Sequence, residues 1–461
     1  MKTFPSRRDI LTGAAAATVA MASRVEADLR IVMNDASRLN PTPTARYWRA
    51  KSDPADRLIA GLRNELKAAR AADRSVVVGA ARHSMGGQSL AHNGLAISFD
   101  SGLIEPDTAA GTYRVSAGAR WWDVIRALDP LGYGPTVMQS NADFGVGSTF
   151  SVNSHGWPAP YGPFGSTVRS MRIMTADGEV LECSRSENAE LFSLAMGGYG
   201  LFGVIIDLEV MTRNVLLARQ LDVFPAEEVG SRFLRAIDDD GSIVMAYGRL
   251  SVARDSFFRH ALIATYRPES QQPTTLPAAS NVSALTGLSR EIYRAQVGSE
   301  TAKKARWIAE TVLEPKFASE RATRNSLMNE PVANLANSDT RRTDILHEYF
   351  VPPQRFPEFI DPCRKIIPPA RAEFLNVTLR YVAADRGSVL AYAPERRIAA
   401  VMSLSQEISP EGEVDMMETT ERLIDAALAV GGSFYLPYRL HARRDQVAAA
   451  YPNAAHFASR K

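Results

Sequence analysis

Residues 75–100, SVVVGAARHSMGGQSLAHNGLAISFD, constrain this chain more than any other stretch. Residues 76–78 predict a short buried strand and 95–99 a second. Between them a polar loop holds Gly79, Gly86, Gly87 and Gly94, with His83 beside Ser84. Residues without a Cβ let backbone N–H groups turn toward a ligand. Consecutive inward N–H groups form a concave nest suited to a phosphate or pyrophosphate. Taken alone, such a loop reads as an ordinary hairpin connection. Fourteen of the chain's thirty glycines, however, fall between Gly79 and Gly165, under a fifth of its length. That clustering implies backbone packed closely on something, and a large cofactor is the natural candidate.

The 461 residues suggest roughly two or three domains. Hydrophobic content of 45% and charged content of 23% fit a soluble globular protein. A net charge of +2 points to neither nucleic acid nor an anionic membrane. Nothing requires Cys183 and Cys363 to pair, and the histidines form no H-x-x-x-H spacing, so no metal site is expected. Residues 1–27 read as a targeting segment. Arg7-Arg8 lies in a twin-arginine signature, residues 11–22 are apolar, and Ala20-Met21-Ala22 and Val25-Glu26-Ala27 both fit a cleavage site. The apolar run is too short to span a bilayer, so no stable membrane anchor is expected. Twin-arginine export carries folded proteins, so a cofactor can be loaded first, and the destination is the periplasm or the exterior.

Residues 37–53 read as an extended lead-in, and 54–72 as a helix capped by Asp53 and started by Pro54. Strand 113–117 and helix 121–128 follow. The second glycine-rich stretch, 145–156, offers more N–H groups and small hydroxyls within one turn or strand. Strands 168–176 and 179–183 flank Asp177-Gly178, a type I′ hairpin signal. Helix 188–196 stops at Gly197-Gly198, and 202–210 is a strand. Beyond residue 214 glycine becomes sparse. Strands 243–247, 261–266, 374–382 and 398–404 alternate with helices 226–238, 301–313, 357–366 and 416–429, suggesting a sheet covered on one face. Residues 271–283 are loop-like. The basic run 301–324 reads as a solvated helical face. In 376–382, Asn376, Thr378 and Arg380 share one strand face and Val377, Leu379 and Tyr381 the other, so the polar face must meet water or a lined cavity.

Arg82-His83-Ser84 with Gly86-Gly87-Gln88 resembles the flavin-attachment loop of the vanillyl-alcohol oxidase family, whose FAD-binding domain is of the PCMH type. The order of hairpin, E-x-x-x-L-F helix and G-x-x-G-V-I strand resembles the close of that domain. The resemblance covers residues 44–213. It implies an α+β fold: a two-subdomain FAD-binding domain at 44–213, and an antiparallel-sheet substrate-binding cap at 214–440 with helices on one face. A return segment at 441–461 follows, expected to be truncated because family chains continue further. It implies FAD, held covalently through His83. The implied cofactor-binding residues are Ala80, Ala81, Arg82, His83, Ser84, Met85, Gln88 and Ser89 in the first loop. In the second stretch they are Gly145, Gly147, Ser148, Ser151, Val152, Asn153 and His155, with Gly203 and Ile205 toward the adenine end. His155 reads as a hydrogen-bonded structural histidine, and no cysteine stands near it for a second attachment. Arg380 matches an arginine that faces the pocket in sugar-type oxidases of the family, though Thr378 replaces their acidic residue. Tyr438 and His441 lie in a segment resembling the return toward the flavin.

The expected activity is an exported FAD-dependent oxidoreductase. It moves hydride from a CH–OH donor (alcohol, sugar or lactone) to flavin N5, with Arg380, Tyr438 and His441 as catalytic candidates. The partners are a small-molecule substrate and either oxygen or a periplasmic electron acceptor. Ser154 does not decide between these two acceptors. The alternatives are an amine-oxidising flavoenzyme of the same fold and a non-catalytic protein that keeps the fold. No P-loop pattern exists.

Overall fold

The computed structural model describes residues 31–50, 55–99, 102–279, 286–313, 321–332, 337 and 339–461. The targeting segment 1–27 and the Asp53-Pro54 cap lie outside the described residues. After a ribbon of β1 (Ile31–Met33) and β2 (Thr42–Thr44), three sheets carry the chain.

In the first sheet, β3 (Arg46–Ala50) and β4 (Val76–Val78) both run parallel to β5 (Leu95–Phe99). Parallel strands need a long crossover; α1 (Ala55–Ala71) lies in the connection from β3 to β4, the two edge strands on either side of β5. The expected lead-in therefore supplies an edge strand. The central strand β5 is buried throughout. Its neighbour β4 is not buried as expected: Val78 is 37% exposed and lines a cavity.

The second sheet is antiparallel, in the order β6-β7-β10-β8-β9. Its strands are β6 (Ile104–Asp107), β7 (Thr112–Ser116), β8 (Val168–Met174), β9 (Val180–Ser184) and β10 (Val204–Met211). The β8–β9 hairpin turns at Asp177-Gly178 as expected, but only Gly178 has a positive φ, 83°. The Gly178 N–H bonds the Thr175 carbonyl, so the turn is a type I turn followed by a left-handed glycine, not type I′. Helix α2 (Trp121–Leu128) buries Trp121, Val124, Ile125 and Leu128, the i, i+3, i+4, i+7 stripe of an amphipathic helix. The second glycine-rich stretch was expected as turn or strand. It forms a short helix, α3 (Val146–Ser151), because small residues let it seat directly on β7 and Ala117. Helix α4 (Ala189–Ala195) gives way at Gly197, φ 70°.

The third sheet has eight strands in the order β14-β11-β13-β12-β16-β17-β15-β18. They are β11 (Leu216–Pro225), β12 (Met245–Leu250), β13 (His260–Pro268), β14 (Arg321–Thr323), β15 (Arg342–Val351), β16 (Glu373–Val382), β17 (Arg397–Glu407) and β18 (Ser433–Phe434). On one face, α5 (Val229–Asp238), α8 (Phe356–Ile366) and α9 (Pro410–Ala429) bury Phe233, Phe359 and Leu423 in a core of their own. Helices α6 (Thr286–Arg294) and α7 (Glu300–Ile308) reach the rim of the other face. There the Tyr293 hydroxyl meets Ser403 Oγ at 2.8 Å and Arg306 donates to Asn376 at 3.2 Å.

The basic run 301–324 is solvated only in part: Lys304 and Arg321 are exposed, Lys316 lies outside the described residues, and Lys303 and Arg324 are buried. Lys303, 3% exposed, donates to Glu373 at 2.9 Å. Arg324 is fully buried and donates to the backbone carbonyls of Pro135, Thr136 and Arg213, which ties the β14 edge of the third sheet to the first half of the chain. The charges are spent on carbonyls and carboxylates that would otherwise be stranded. At the end of the chain, α10 (Arg444–Ala450) leads to α11 (Ala454–Ser459). Phe457 packs edge-on against Phe202 at 5.0 Å, and Arg460 pairs with Glu190 at 2.6 Å, so the last helix lies against the first half of the chain.

Candidate active site

A cavity of about 760 Å³ lies where the first two sheets meet the third. That size falls within the range of small-molecule sites, ~300–1,000 Å³. Its first wall is the loop after β4. The Gly79 N–H is anchored on the Ile97 carbonyl. Arg82 takes a positive φ of 55° and donates to Ser98 Oγ at 3.1 Å. The distal half of the loop is stitched to the return segment. Met85 N–H meets the Pro437 carbonyl, and Gln88 Nε2 meets the Leu436 and Tyr438 carbonyls at 2.9 and 3.0 Å. A Cβ on Gly86 would sit 2.6 Å from the Tyr438 carbonyl, so only glycine permits this approach.

The nest is not where the glycines stand. The Gly86 N–H is taken by Gln88 Oε1 and the Gly87 N–H by Asp35 Oδ2. Among the described residues no acceptor meets the N–H groups of Ala80 to Ser84, and all five residues line the cavity. These free donors fit an anionic cofactor group. Nor do most of the clustered glycines face a ligand. Of the fourteen, Gly79, Gly118, Gly145 and Gly147 line the cavity. Others, such as Gly156 on the Met138 carbonyl, pack on the chain itself.

Helix α3 and its flanks form the second wall. A Cβ on Gly145 would lie 2.6 Å from Ala80 Cβ, so the two glycine-rich stretches touch there. Gly145, Gly147, Ser148, Ser151, Val152 and His155 line the cavity, as do Ala80 through Met85, Gln88, Ser89, Gly203 and Ile205. Asn153 does not. Its Nδ2 donates to Asp385 at 2.9 Å and its Oδ1 accepts the Gly165 N–H, so it braces the helix end from behind. The His83 ring stacks on Phe144 at 4.2 Å, with Nε2 3.6 Å from Asp143 Oδ2. Burial acts to raise the Asp143 carboxyl, but His83 and the Val332 N–H outweigh it and hold it below its usual range.

The third wall is the open face of the cap sheet. Arg380, on β16, does reach the cavity. Its Nη1 donates to the His155 carbonyl at 3.2 Å and its Nη2 to Ser140 Oγ at 2.7 Å. Beside it stands Glu348 on β15, 3% exposed, which the sequence reading did not single out. Glu348 Oε1 is bonded to His155 Nε2, and Oε2 accepts the Tyr438 hydroxyl at 3.3 Å. Burial, then the Glu348 charge, raises the Tyr438 phenol well above its usual value, so it stays a neutral donor. Burial lowers the Arg380 guanidinium and Glu348 opposes that shift. The available signal for Glu348 was a lone carboxylate inside the apolar run 345–351.

His441 is not part of this site. It is buried away from the cavity, with Nε2 3.0 Å from Glu413 and Nδ1 3.2 Å from Thr420. Its segment turns outward after Tyr438, so the side chain packs on α9. Cys183 and Cys363 are both free and buried. No group of residues suited to a metal ion occurs among the described residues. No described helix is long and apolar enough to cross a membrane.

Residues 59–184 match the family model described as an FAD binding domain. With the two-subdomain architecture and the cradle at Ala80 to Ser84, this makes the first half a PCMH-type FAD-binding domain. The match covers residues 59–184 alone, and the cofactor it supports is FAD. Among curated relatives, "Uncharacterized oxidoreductase ORF5 in fasciation locus" of Rhodococcoides fascians is 28% identical over 227 residues, 47% of this chain and 50% of that protein. Cytokinin dehydrogenase 1 of Arabidopsis thaliana is 35% identical over 129 residues, 27% of this chain and 22% of the relative. Cytokinin dehydrogenase 9 of Oryza sativa subsp. japonica is 34% identical over 128 residues, 27% and 25% respectively. The matched part thus spans about half of the first relative and about a quarter of the other two.

Proposed function

We propose that this protein is an exported FAD-dependent oxidoreductase acting on a CH–OH donor. The carrying observation is a buried carboxylate, Glu348, and a half-buried guanidinium, Arg380, both opening on the cavity that the FAD cradle also lines. Bound FAD supplies the two-electron, hydride-accepting chemistry. The protein's part is to place the donor and move its proton. Glu348, steadied by His155 and Tyr438, accepts the hydroxyl proton of the donor. Arg380 offsets the negative charge that develops on the donor oxygen, and its two hydrogen bonds keep it from swinging away.

His83 is proposed as the covalent attachment point, since its ring is fixed by Phe144 and Asp143 at the cavity wall. The electron acceptor is oxygen or a periplasmic carrier, and export follows the Arg7-Arg8 signature. A CH–NH donor is the second reading, favoured by the cytokinin dehydrogenases among the relatives. The test is anaerobic mixing of the flavin-loaded protein with alcohols, sugars, lactones and amines. Bleaching by a CH–OH compound supports the first reading, and bleaching by amines alone replaces it with the second. A stopped-flow comparison of oxygen with an artificial acceptor then decides the oxidant.

A further inference from the structure

The cavity does not end at Glu348. Along β15 the residues Asp344, Leu346 and Glu348 all line it, so the wall continues for four residues of extended strand, ~14 Å. At its far end Arg294, the last residue of α6, donates Nη2 to Asp344 Oδ2 at 2.5 Å. Among the described residues the remaining groups of this pair have no protein partner: Arg294 Nε and Nη1, and Asp344 Oδ1. The floor beside them is rigid. Tyr293 is pinned by the 2.8 Å bond of its hydroxyl to Ser403 Oγ, and the guanidinium groups of Arg294 and Arg306 lie 5.2 and 5.1 Å from its ring centroid.

We infer that the Arg294–Asp344 pair is the recognition point for the remote end of the donor, and that this end is a neutral group carrying acceptor and donor side by side, as in a carboxamide. Three observations carry this. The pair's charges cancel, so it offers no net attraction to a carboxylate or an ammonium. What it leaves unused is two nitrogen donors and one oxygen acceptor, the complement of a C=O next to an N–H. Buried polar groups of this kind discriminate strongly, because a ligand lacking the matching atom leaves them unpaired. The separation from Glu348 then makes the donor an elongated molecule, with the reacting CH–OH at one end and the neutral polar group at the other.

This inference rests on the proposed CH–OH chemistry, and its test separates the two. The probes are 6-hydroxyhexanamide, methyl 6-hydroxyhexanoate and 6-hydroxyhexanoate, titrated anaerobically into the flavin-loaded protein. Perturbation of the flavin spectrum reads binding, and bleaching reads turnover. The amide is expected to bind about tenfold or more tightly than the ester or the acid. That preference should vanish in both Arg294→Met and Asp344→Asn, while the flavin content of each variant stays that of the wild type. Preferential amide binding without bleaching would uphold the recognition point and count against the CH–OH reading. Equal binding of the three probes, tighter binding of the acid, no binding by any of them, or an amide preference that survives both substitutions would each overturn the inference.

Discussion

Replacing Arg380 by Met separates its structural role from its chemical one. The substitution keeps the length and apolar stem of the side chain but removes the charge. It also removes two hydrogen bonds, to the His155 carbonyl at 3.2 Å and Ser140 Oγ at 2.7 Å. Hydrogen bonds to charged groups contribute ~1.5–3 kcal/mol each. Part of that is recovered because the half-buried guanidinium no longer has to be desolvated. The folding cost should therefore be modest, and FAD should still bind, since the cradle lies on other residues. The chemical cost is different. A donor aimed at developing charge in a dry site is worth ~3–4 kcal/mol of barrier, a hundredfold or more in rate. The assay is anaerobic stopped-flow reduction of the flavin by the best donor from the screen, with thermal melting and flavin content measured on the same sample. Wild-type reduction in a folded, flavin-loaded Arg380→Met protein would refute the assignment.

Four further outcomes are expected. Acid precipitation of the holoprotein should leave yellow colour in the pellet, and His83→Ala should release it to the supernatant; colour wholly in the wild-type supernatant excludes the covalent bond. Changing Arg7 and Arg8 to Lys should retain the protein in the cytoplasm, and an unchanged periplasmic yield would point to another export route. Gly145→Ala should lower flavin content, because its Cβ meets Ala80 Cβ at 2.6 Å, and Ala80→Gly in the same chain should restore it. No restoration would mean the contact does not govern the cradle. Burial acts to raise the Glu413 carboxyl, but donors from His441, Arg439 and Gln406 hold it at about 2 against the usual 4.5. Its folded-state pKa is depressed, so its contribution is complete above pH 4.5 and is lost as pH falls toward 2. Melts across that window should show wild type losing stability faster than Glu413→Gln, and parallel curves would show that the cluster does not couple to folding.

The local elements with strong periodicity or punctuation were legible in the chain. Helix α2 shows its buried stripe at Trp121, Val124, Ile125 and Leu128, β16 shows its alternation, and Asp177-Gly178 marks its hairpin. The cofactor loop was legible too, because a strand, a polar loop with His83 and a second strand form a continuous segment whose chemistry is local. What stayed hidden depends on partners far away in sequence. The type of the Asp177-Gly178 turn follows from how β8 and β9 twist, and the glycine cluster serves close packing more than cofactor contact. Lys303 and Arg324 read as surface charges until the carbonyls and carboxylates that bury them came from other parts of the chain. Strand alternation puts Arg380 on the polar face, but only the docking of the cap on the FAD-binding half turns that face into a cavity wall. The same docking joins Glu348 from β15, His155 from the second glycine-rich stretch and Tyr438 from the return segment. It also leaves His441 outside, three residues past Tyr438, because the chain has turned by then. The sequence alone determined the FAD-binding half, since the free backbone N–H groups of its cradle belong to one contiguous loop, Ala80 to Ser84. The tertiary structure decided the reaction site, because a buried acid and its counter-charge are recognisable only once the sheets that enclose them have met.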